Sequence, residues 1–153
     1  MESQFKQRLG SMLFHAGKID KDQLEKSLQI QKEDQGYLGQ IFLSNGYISE
    51  EDLYLNLSRQ LKIPFLRLGT FKNDENLLKL FTESQIRTHK IFPLFKLNQS
   101  LNIAVSDPLD ATPINFAREV SGLKVEPIIA YASEIESSID LHYGISSFIG
   151  IDS

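Results

Sequence analysis

Two stretches of this sequence repeat one another: residues 8–31 read RLGSMLFHAGKIDKDQLEKSLQIQ, and residues 37–60 read YLGQIFLSNGYISEEDLYLNLSRQ. They align without a gap at an offset of 29 residues, and seven of the 24 aligned positions are identical. Self-similarity at a fixed spacing is the usual signature of a duplicated supersecondary unit. We therefore interpret the N-terminal part of the chain as an internal duplication.

Each copy has the pattern of a helix, a short turn and a second helix. Apolar residues of the first copy follow helical spacing up to Gly17, which is typical of the left-handed residue that ends a helix. Asp20 and Gln23 then form a predicted capping box for the second helix. Gly46 and Ser49 take the corresponding places in the second copy. Because helix pairs joined by short turns pack antiparallel, we predict a four-helix unit.

The residues after the repeat follow a different pattern. Residues 91–97 and 101–105 read as strands, and the three-residue gap between them predicts an antiparallel hairpin. Residues 125–130 read as a third strand, expected beside 101–105. Helices are predicted before, between and after these strands, the last of them capped by Ser133 and Glu136.

The expected fold class is therefore α+β, with a four-helix unit followed by a small α/β sandwich that has a three-stranded sheet. We expect the tandem-repeat helical domain to span 1–61 and the small α/β domain to span 73–144. A connector over 62–72 joins them in this interpretation, and 145–153 is a linker or tail.

Composition excludes several classes of protein. Sixteen Lys and Arg against 20 Asp and Glu give a net charge of -4, so no basic face for DNA or RNA is indicated. The absence of cysteine excludes disulfides, thiolate chemistry and cysteine-based zinc sites. No apolar run approaches the roughly 20 residues that span a bilayer, and no signal peptide is evident. We therefore expect a cytoplasmic chain without membrane insertion.

No catalytic motif is present in the sequence. It contains no G-x-x-x-x-G-K-[ST], no G-x-G-x-x-G and no G-x-S-x-G. His15, His89 and His142 are far apart in the sequence and do not suggest a metal site. Asp107 and Asp110 are a pair of carboxylates, and ordering of the adjacent turn is the favoured interpretation over catalysis or metal binding. We expect no catalytic residue and no bound metal.

The repeat resembles the N-terminal domain of type II secretion and type IV pilus assembly ATPases. The family pattern is R-L-G-x-x-L-x-x-x-G, an apolar spacer, and L-x-x-x-L-x-x-Q, twice in tandem. The first copy matches it fully, whereas Tyr37 stands in the second copy where the strongest form of the pattern has Arg. The second half also resembles the family's α/β domain, through the motifs Phe92-Pro93-Leu94, Leu101–Pro108, Gly122-x-x-Val125 and Glu134-Ile135 leading to His142-Tyr143-Gly144.

This resemblance implies a regulatory or docking role. In some members of the family the tandem repeat binds cyclic di-GMP, and in others the region docks on the inner-membrane platform of the machine. An ATPase motor with Walker motifs normally follows. The partners implied are cyclic di-GMP, the platform protein and that motor, at the inner face of the inner membrane. Ligand binding, docking and a purely structural spacer all remain open for this sequence.

The candidate ligand site consists of the repeated motif residues. Arg8 would face a guanine, leucines would form the apolar wall for each base, and glutamines would supply hydrogen bonds. Tyr37 can stack on a base but cannot form the bidentate fork of an Arg. The full set is Arg8, Leu9, Gly10, Leu24, Leu28, Gln31, Tyr37, Leu38, Gly39, Leu53, Leu57 and Gln60.

The structural alternative is that the leucines are core residues and that packing alone explains why they recur in both copies. Gly10 and Gly39 fit that alternative less easily, because glycine inside a helix costs about 1 kcal/mol against alanine. A close approach to the backbone, or a helix that begins there, would account for them.

Overall fold

A computed structural model describes the backbone of residues 2–34 and 38–144 and the side chains of residues 9–33 and 38–144. The chain forms two compact units, Met1–Lys62 and Ile63–Ser153. The predicted tail, 145–153, lies outside the described residues. Within the described part, no helix is both long and apolar enough to cross a membrane.

The first unit consists of the four predicted helices. They are α1 (Glu2–His15), α2 (Lys21–Asp34), α3 (Leu38–Ser44) and α4 (Glu50–Leu61). The second helix of each copy packs against the first helix of the other copy, α2 on α3 and α4 on α1. The two copies are therefore interlocked.

The turns inside the two copies follow the sequence signals. Gly17 and Gly46 have positive φ angles of 74° and 70°, the left-handed conformation that glycine adopts without strain. Asp20 accepts a 2.7 Å hydrogen bond from the Gln23 backbone N–H, and the Gln23 side chain accepts one of 2.9 Å from the Asp20 N–H. The Ser49 hydroxyl accepts a 3.1 Å hydrogen bond from the Asp52 backbone N–H. The predicted helix ends and caps of the repeat are confirmed.

The core of the first unit is built from equivalent positions of the two copies. Leu13 and Phe42 are aligned in the repeat and both are fully buried. The other buried apolar side chains are Leu9, Ile19, Leu38, Ile41, Ile48, Leu53, Tyr54 and Leu57.

The second unit contains a three-stranded sheet with its helices. The strands are β1 (Phe92–Leu97), β2 (Ser100–Val105) and β3 (Lys124–Ile129). The helices are α5 (Glu83–His89), α6 (Thr112–Ser121) and α7 (Ala132–Tyr143), with a 3₁₀ helix at Glu75–Leu80. The predicted fold class is confirmed.

Sheet order is β1-β2-β3. β1 and β2 pair antiparallel as the predicted hairpin, with Phe92 opposite Ala104 and a shift of register between Pro93 and Phe95. β2 and β3 pair in parallel without interruption. The third strand therefore lies beside the second, as predicted, and α6 forms the crossover that a parallel pair requires.

The segment 62–72, expected to be a connector, lies largely within the second unit. The Leu66 N–H donates to the Ile129 carbonyl at 2.9 Å, and the Ile129 N–H donates to the Pro64 carbonyl at 2.8 Å. Leu68 is buried in the core of this unit. The chain extends the sheet because Pro64 lacks only its own N–H and can still accept through its carbonyl.

The predicted cap of α7 is wrong. The helix begins at Ala132 with Tyr131 as its N-cap, and no side-chain oxygen caps it. Buried Tyr131 follows β3 almost directly, so the chain turns into the helix before it reaches Ser133. Glu134 meanwhile bonds to residues outside the helix.

Candidate functional site

The structure places the described motif residues on all four helices of the first unit. Tyr37 and the side chain of Arg8 lie outside the described residues. The other ten are Leu9 and Gly10 on α1, Leu24, Leu28 and Gln31 on α2, Leu38 and Gly39 on α3, and Leu53, Leu57 and Gln60 on α4.

Gly10 lies beneath two leucines from different helices, in what we term the first glycine–leucine cluster (Gly10, Leu24, Leu38). A Cβ atom placed on Gly10 would lie 2.7 Å from Leu24 Cδ1 and 3.2 Å from Leu38 Cδ2. One leucine belongs to the first copy of the repeat and the other to the second. A larger side chain at this position would displace the end of the half-buried Leu24 side chain.

Gly39 lies in the equivalent second glycine–leucine cluster (Gly39, Leu53, Leu9). A Cβ atom on Gly39 would lie 3.3 Å from Leu53 Cδ2 and 3.7 Å from Leu9 Cδ2. Each cluster again takes one leucine from each copy. Close side-chain packing is therefore one reason for both glycines, and each cluster is composed of residues from both copies.

The motif residues differ in how far they are buried. Leu9, Leu38, Leu53 and Leu57 are core residues. Leu24, Leu28, Gln31 and Gln60 are half-buried. The face of α2 is therefore the one that leaves two apolar motif side chains partly accessible to a ligand.

Two further residues of this region were missed by the sequence reasoning. Ser27 and Asn56 occupy aligned positions of the two copies, and they are the buried polar residues among the described side chains. Each lies one helical turn before the motif glutamine of its own copy. A polar residue at a core-facing helical position in both copies is the signal that could have found them.

Some polar atoms of this region have no hydrogen-bond partner. Neither Ser27 Oγ nor Gln60 Oε1 has one, although both atoms are buried. In contrast, Asn56 Nδ2 donates to the Asp52 carbonyl at 2.7 Å. An unpaired buried polar group costs about 1–3 kcal/mol, and neither atom is accessible to solvent in this fold.

The ten described motif residues carry no charged side chain, and none of them is ionisable. Lys26 forms an exposed ion pair with Asp22 at 3.1 Å, and that hydrogen bond raises the pKa of Lys26. Lys18 lies 3.5 Å from Asp52 in another exposed pair.

Asp107 and Asp110 of the second unit order the turn between β2 and α6. Asp107 and Asp110 accept backbone N–H bonds of 3.0 Å from residues two positions further on, as a turn-ordering role requires. Within the described residues, no group of three or more possible ligands is arranged to hold a metal ion.

Glu134 joins α7 to the segment that precedes the 3₁₀ helix. It accepts bonds from Arg67 Nε at 3.1 Å and from the Leu68 N–H at 3.0 Å. Burial of the carboxyl opposes its charged form, but these hydrogen bonds outweigh it and lower the pKa of Glu134. A groove of about 390 Å³ runs beside it, lined by Leu68, Phe92 and Leu141 among others.

Comparison with known proteins identifies the family. Residues 61–147 match the MshEN domain model. The chain belongs to the MshEN domain family. The matched residues of this MshEN chain lie almost entirely in the second unit, and the tandem repeat precedes them.

The MshEN chain is also similar to curated pilus proteins. It is 26% identical over 136 residues to the type IV pilus assembly ATPase PilB of Myxococcus xanthus, covering 89% of this chain and 24% of that protein. It is 24% identical over 139 residues to PilB of Thermus thermophilus, covering 89% of this chain and 16% of that protein. The MshEN chain thus spans a quarter or less of these two relatives.

Solved structures share its fold. A structure of MshE with cdg (cyclic di-GMP) is 28% identical, with a TM-score of 0.80, over 86% of this chain and 96% of that one. The N-terminal domain of XpsE is 18% identical, with a TM-score of 0.70, over 88% of this chain and 92% of that one. The XpsE likeness concerns the fold alone.

Proposed function

We propose that this chain is a regulatory, non-catalytic region of a type IV pilus or type II secretion ATPase, and that its tandem repeat binds cyclic di-GMP. The parent protein would act in the cytoplasm, at the inner face of the inner membrane. The motor ATPase and the inner-membrane platform protein are its proposed macromolecular partners.

The likeness to MshE with cdg is the observation that carries this proposal. It extends over most of both chains, and so includes the repeat as well as the sheet unit. The motif residues of the first copy match the family pattern without exception.

The geometry suggests how the ligand would be held. Half-buried Leu24 and Leu28 offer an apolar surface to a guanine. Arg8 would present its guanidinium fork to the acceptors of the base, and half-buried Gln31 and Gln60 would add hydrogen bonds. Because Leu24 and Leu38 fill the space over Gly10, a phosphate would reach that backbone only if these leucines move.

Calorimetric titration with cyclic di-GMP tests the proposal. Wild-type protein is expected to bind, and Arg8→Ala to bind roughly ten- to a hundredfold more weakly, since a hydrogen bond to a charged group is typically worth about 1.5–3 kcal/mol. Arg59→Ala, at an exposed position of α4, is the matched control and should bind as wild type. Absence of heat at high micromolar ligand would contradict the proposal.

Tyr37 offers a gain-of-function version of the same test. Tyr37→Arg restores the arginine of the family pattern and should strengthen binding, because Arg can form two parallel hydrogen bonds where Tyr forms one. Weaker binding by this variant in the same titration would mean that Tyr37 already supplies the better contact.

A docking module is the second candidate function. Such a module should expose an apolar patch, for which 63–71 and the α/β layer are the candidate places. Leu68 is buried, and Phe65, Leu66 and Phe71 are half-buried, so that segment offers little exposed apolar surface. Leu141 on α7, however, is 89% exposed and lies beside the 390 Å³ groove.

Binding to the purified cytoplasmic domain of a platform protein tests docking. Leu141→Asp should abolish that binding, because the substitution places a charge in the apolar contact. Leu97→Asp, at another highly exposed leucine, should leave it unchanged. Equal loss in both variants would argue against a specific contact at Leu141.

A further inference from the structure

The 390 Å³ groove of the second unit is lined by both buried and exposed apolar side chains. Leu68, Phe92 and Leu94 line it and are buried, whereas Leu141 of α7 also lines it and is 89% exposed. Removal of apolar surface from water is favourable by roughly 25 cal/mol per Å². Apolar side chains placed in this groove would therefore be stabilised by covering Leu141.

The chain leaves α7 beside this groove. His142, two residues before Gly144, is one of the lining residues. The Gly144 carbonyl accepts a 2.7 Å hydrogen bond from Arg87 Nη2, and Arg87 also donates to Asp140 at 2.9 Å. Gly144 has a φ of 90°, which glycine adopts without strain and which turns the chain away from the helix. Gly144, from which residues 145–153 continue, is therefore held in place next to the groove.

The composition of residues 145–153 favours contact with apolar surface. The sequence there reads ISSFIGIDS, with four large apolar side chains and one charged one. The apolar residues are Ile145, Phe148, Ile149 and Ile151. Segments that remain solvated are typically poor in such residues. Because residues 145–151 carry no charge, they would meet no electrostatic repulsion from Glu75 and Glu134, which line the groove.

We propose that residues 145–153 occupy this groove with their apolar side chains and cover Leu141, so that the groove is an intramolecular docking surface. The segment is long enough to do so. Ser137, which lines the groove, lies about 10 Å along α7 from Gly144. Phe148 can reach about 13 Å from Gly144 in an extended chain. Another protein would contact Leu141 only by displacing this segment, and the inference does not depend on ligand binding by the repeat.

Thiol labelling of the full chain tests the proposal, because the sequence has no cysteine of its own. Ser137→Cys places a thiol in the groove, and Ser133→Cys places one at an exposed position of the same helix. Adding Phe148→Ser and Ile149→Ser should raise the maleimide labelling rate at 137 about tenfold, as for a covered state favoured about ten to one. The rate at 133 should not change. Serine adds no charge that would alter the pKa of the thiol.

Acceleration at 137 alone, at every protein concentration, is the result that supports the proposal. An unchanged rate at 137 overturns it and leaves the groove open to another protein. Protection at 137 that weakens on dilution also overturns it, because an intramolecular contact does not depend on protein concentration. A second copy of the chain would then be the occupant. Acceleration at both 137 and 133 overturns it as well, since the substitutions would then act by loosening α7.

Discussion

The helical unit and the sheet unit differ in how they hold distant parts of the sequence together. In the helical unit the stabilising positions occur twice, as with the buried pair Leu13 and Phe42. The sheet unit adds single polar contacts between segments far apart, such as Glu134 with Arg67, 67 residues away. Arg87 likewise donates to Asp140, 53 residues away, at 2.9 Å. A duplicated core position is visible by aligning the sequence with itself, whereas a single long-range contact is not.

The largest expected effect concerns the duplicated core. Phe42→Ala should lower the free energy of unfolding by about 3–5 kcal/mol and Leu13→Ala by about 2–5 kcal/mol, since each leaves a cavity. Urea denaturation measures both, with the exposed Leu55→Ala as a control expected to change little. A large loss at Phe42 with a negligible one at Leu13 would show that the two copies do not share the core equally.

The next effect concerns the polar contact of the sheet unit. Glu134→Gln keeps the side-chain shape but removes the charge that accepts from Arg67 and the Leu68 N–H. We expect a loss of about 1–3 kcal/mol, the cost of weakening hydrogen bonds to a charged group. Glu136→Gln, at an exposed position of the same helix, is the matched control. Equal stability of the two variants would mean that this contact adds nothing to the sheet unit.

Alanine substitution should change the free energy of unfolding by different, smaller amounts in the two glycine–leucine clusters. Gly10→Ala places a methyl group 2.7 Å from Leu24 Cδ1, whereas Gly39→Ala meets Leu53 at 3.3 Å. The overpacking cost partly offsets the better helix propensity of alanine. We expect Gly10→Ala to be less stable than Gly39→Ala by about 1 kcal/mol in the same urea experiment. The reverse order would indicate that Leu24 moves aside freely.

The smallest expected effect is a pH dependence in the sheet unit. The pKa of Glu134 is lowered in the folded protein. The contribution of the Glu134 carboxylate to the free energy of unfolding is therefore complete above the unfolded pKa of about 4.3. It is lost as the pH falls through the lower pKa of the folded protein. Between about pH 5 and pH 3, the unfolding free energy of wild type should fall more steeply than that of Glu134→Gln. Parallel curves would contradict the assigned hydrogen bonds.

Local signals made most of the fold predictable. The helix ends at Gly17 and Gly46, the capping box of Asp20 and Gln23, and the β1–β2 hairpin all depend on residues a few positions apart. The wrong cap of α7 shows the limit of such signals. Ser133 and Glu136 have the spacing of a capping box, but buried Tyr131 starts the helix earlier.

The candidate site was predictable only as a set of residues. Repetition indicated which leucines, glycines and glutamines belong together, and their role in binding remains a prediction. Alignment did not indicate that Leu38 packs on Gly10 or that Leu9 packs on Gly39. It also passed over Ser27 and Asn56, because the two residues are not identical, although both are polar and both are buried.

The sequence by itself determined the duplication, the helix ends and caps of the repeat, and the hairpin, because these depend on backbone preferences and hydrogen bonds within a few residues. Only the tertiary structure decided that the copies interlock, that 63–68 joins the sheet through Ile129, and that Glu134 binds Arg67. Those contacts join residues far apart in the chain, and each depends on how whole helices and strands pack. No short window of sequence contains both partners, so their pairing follows from the packed fold alone.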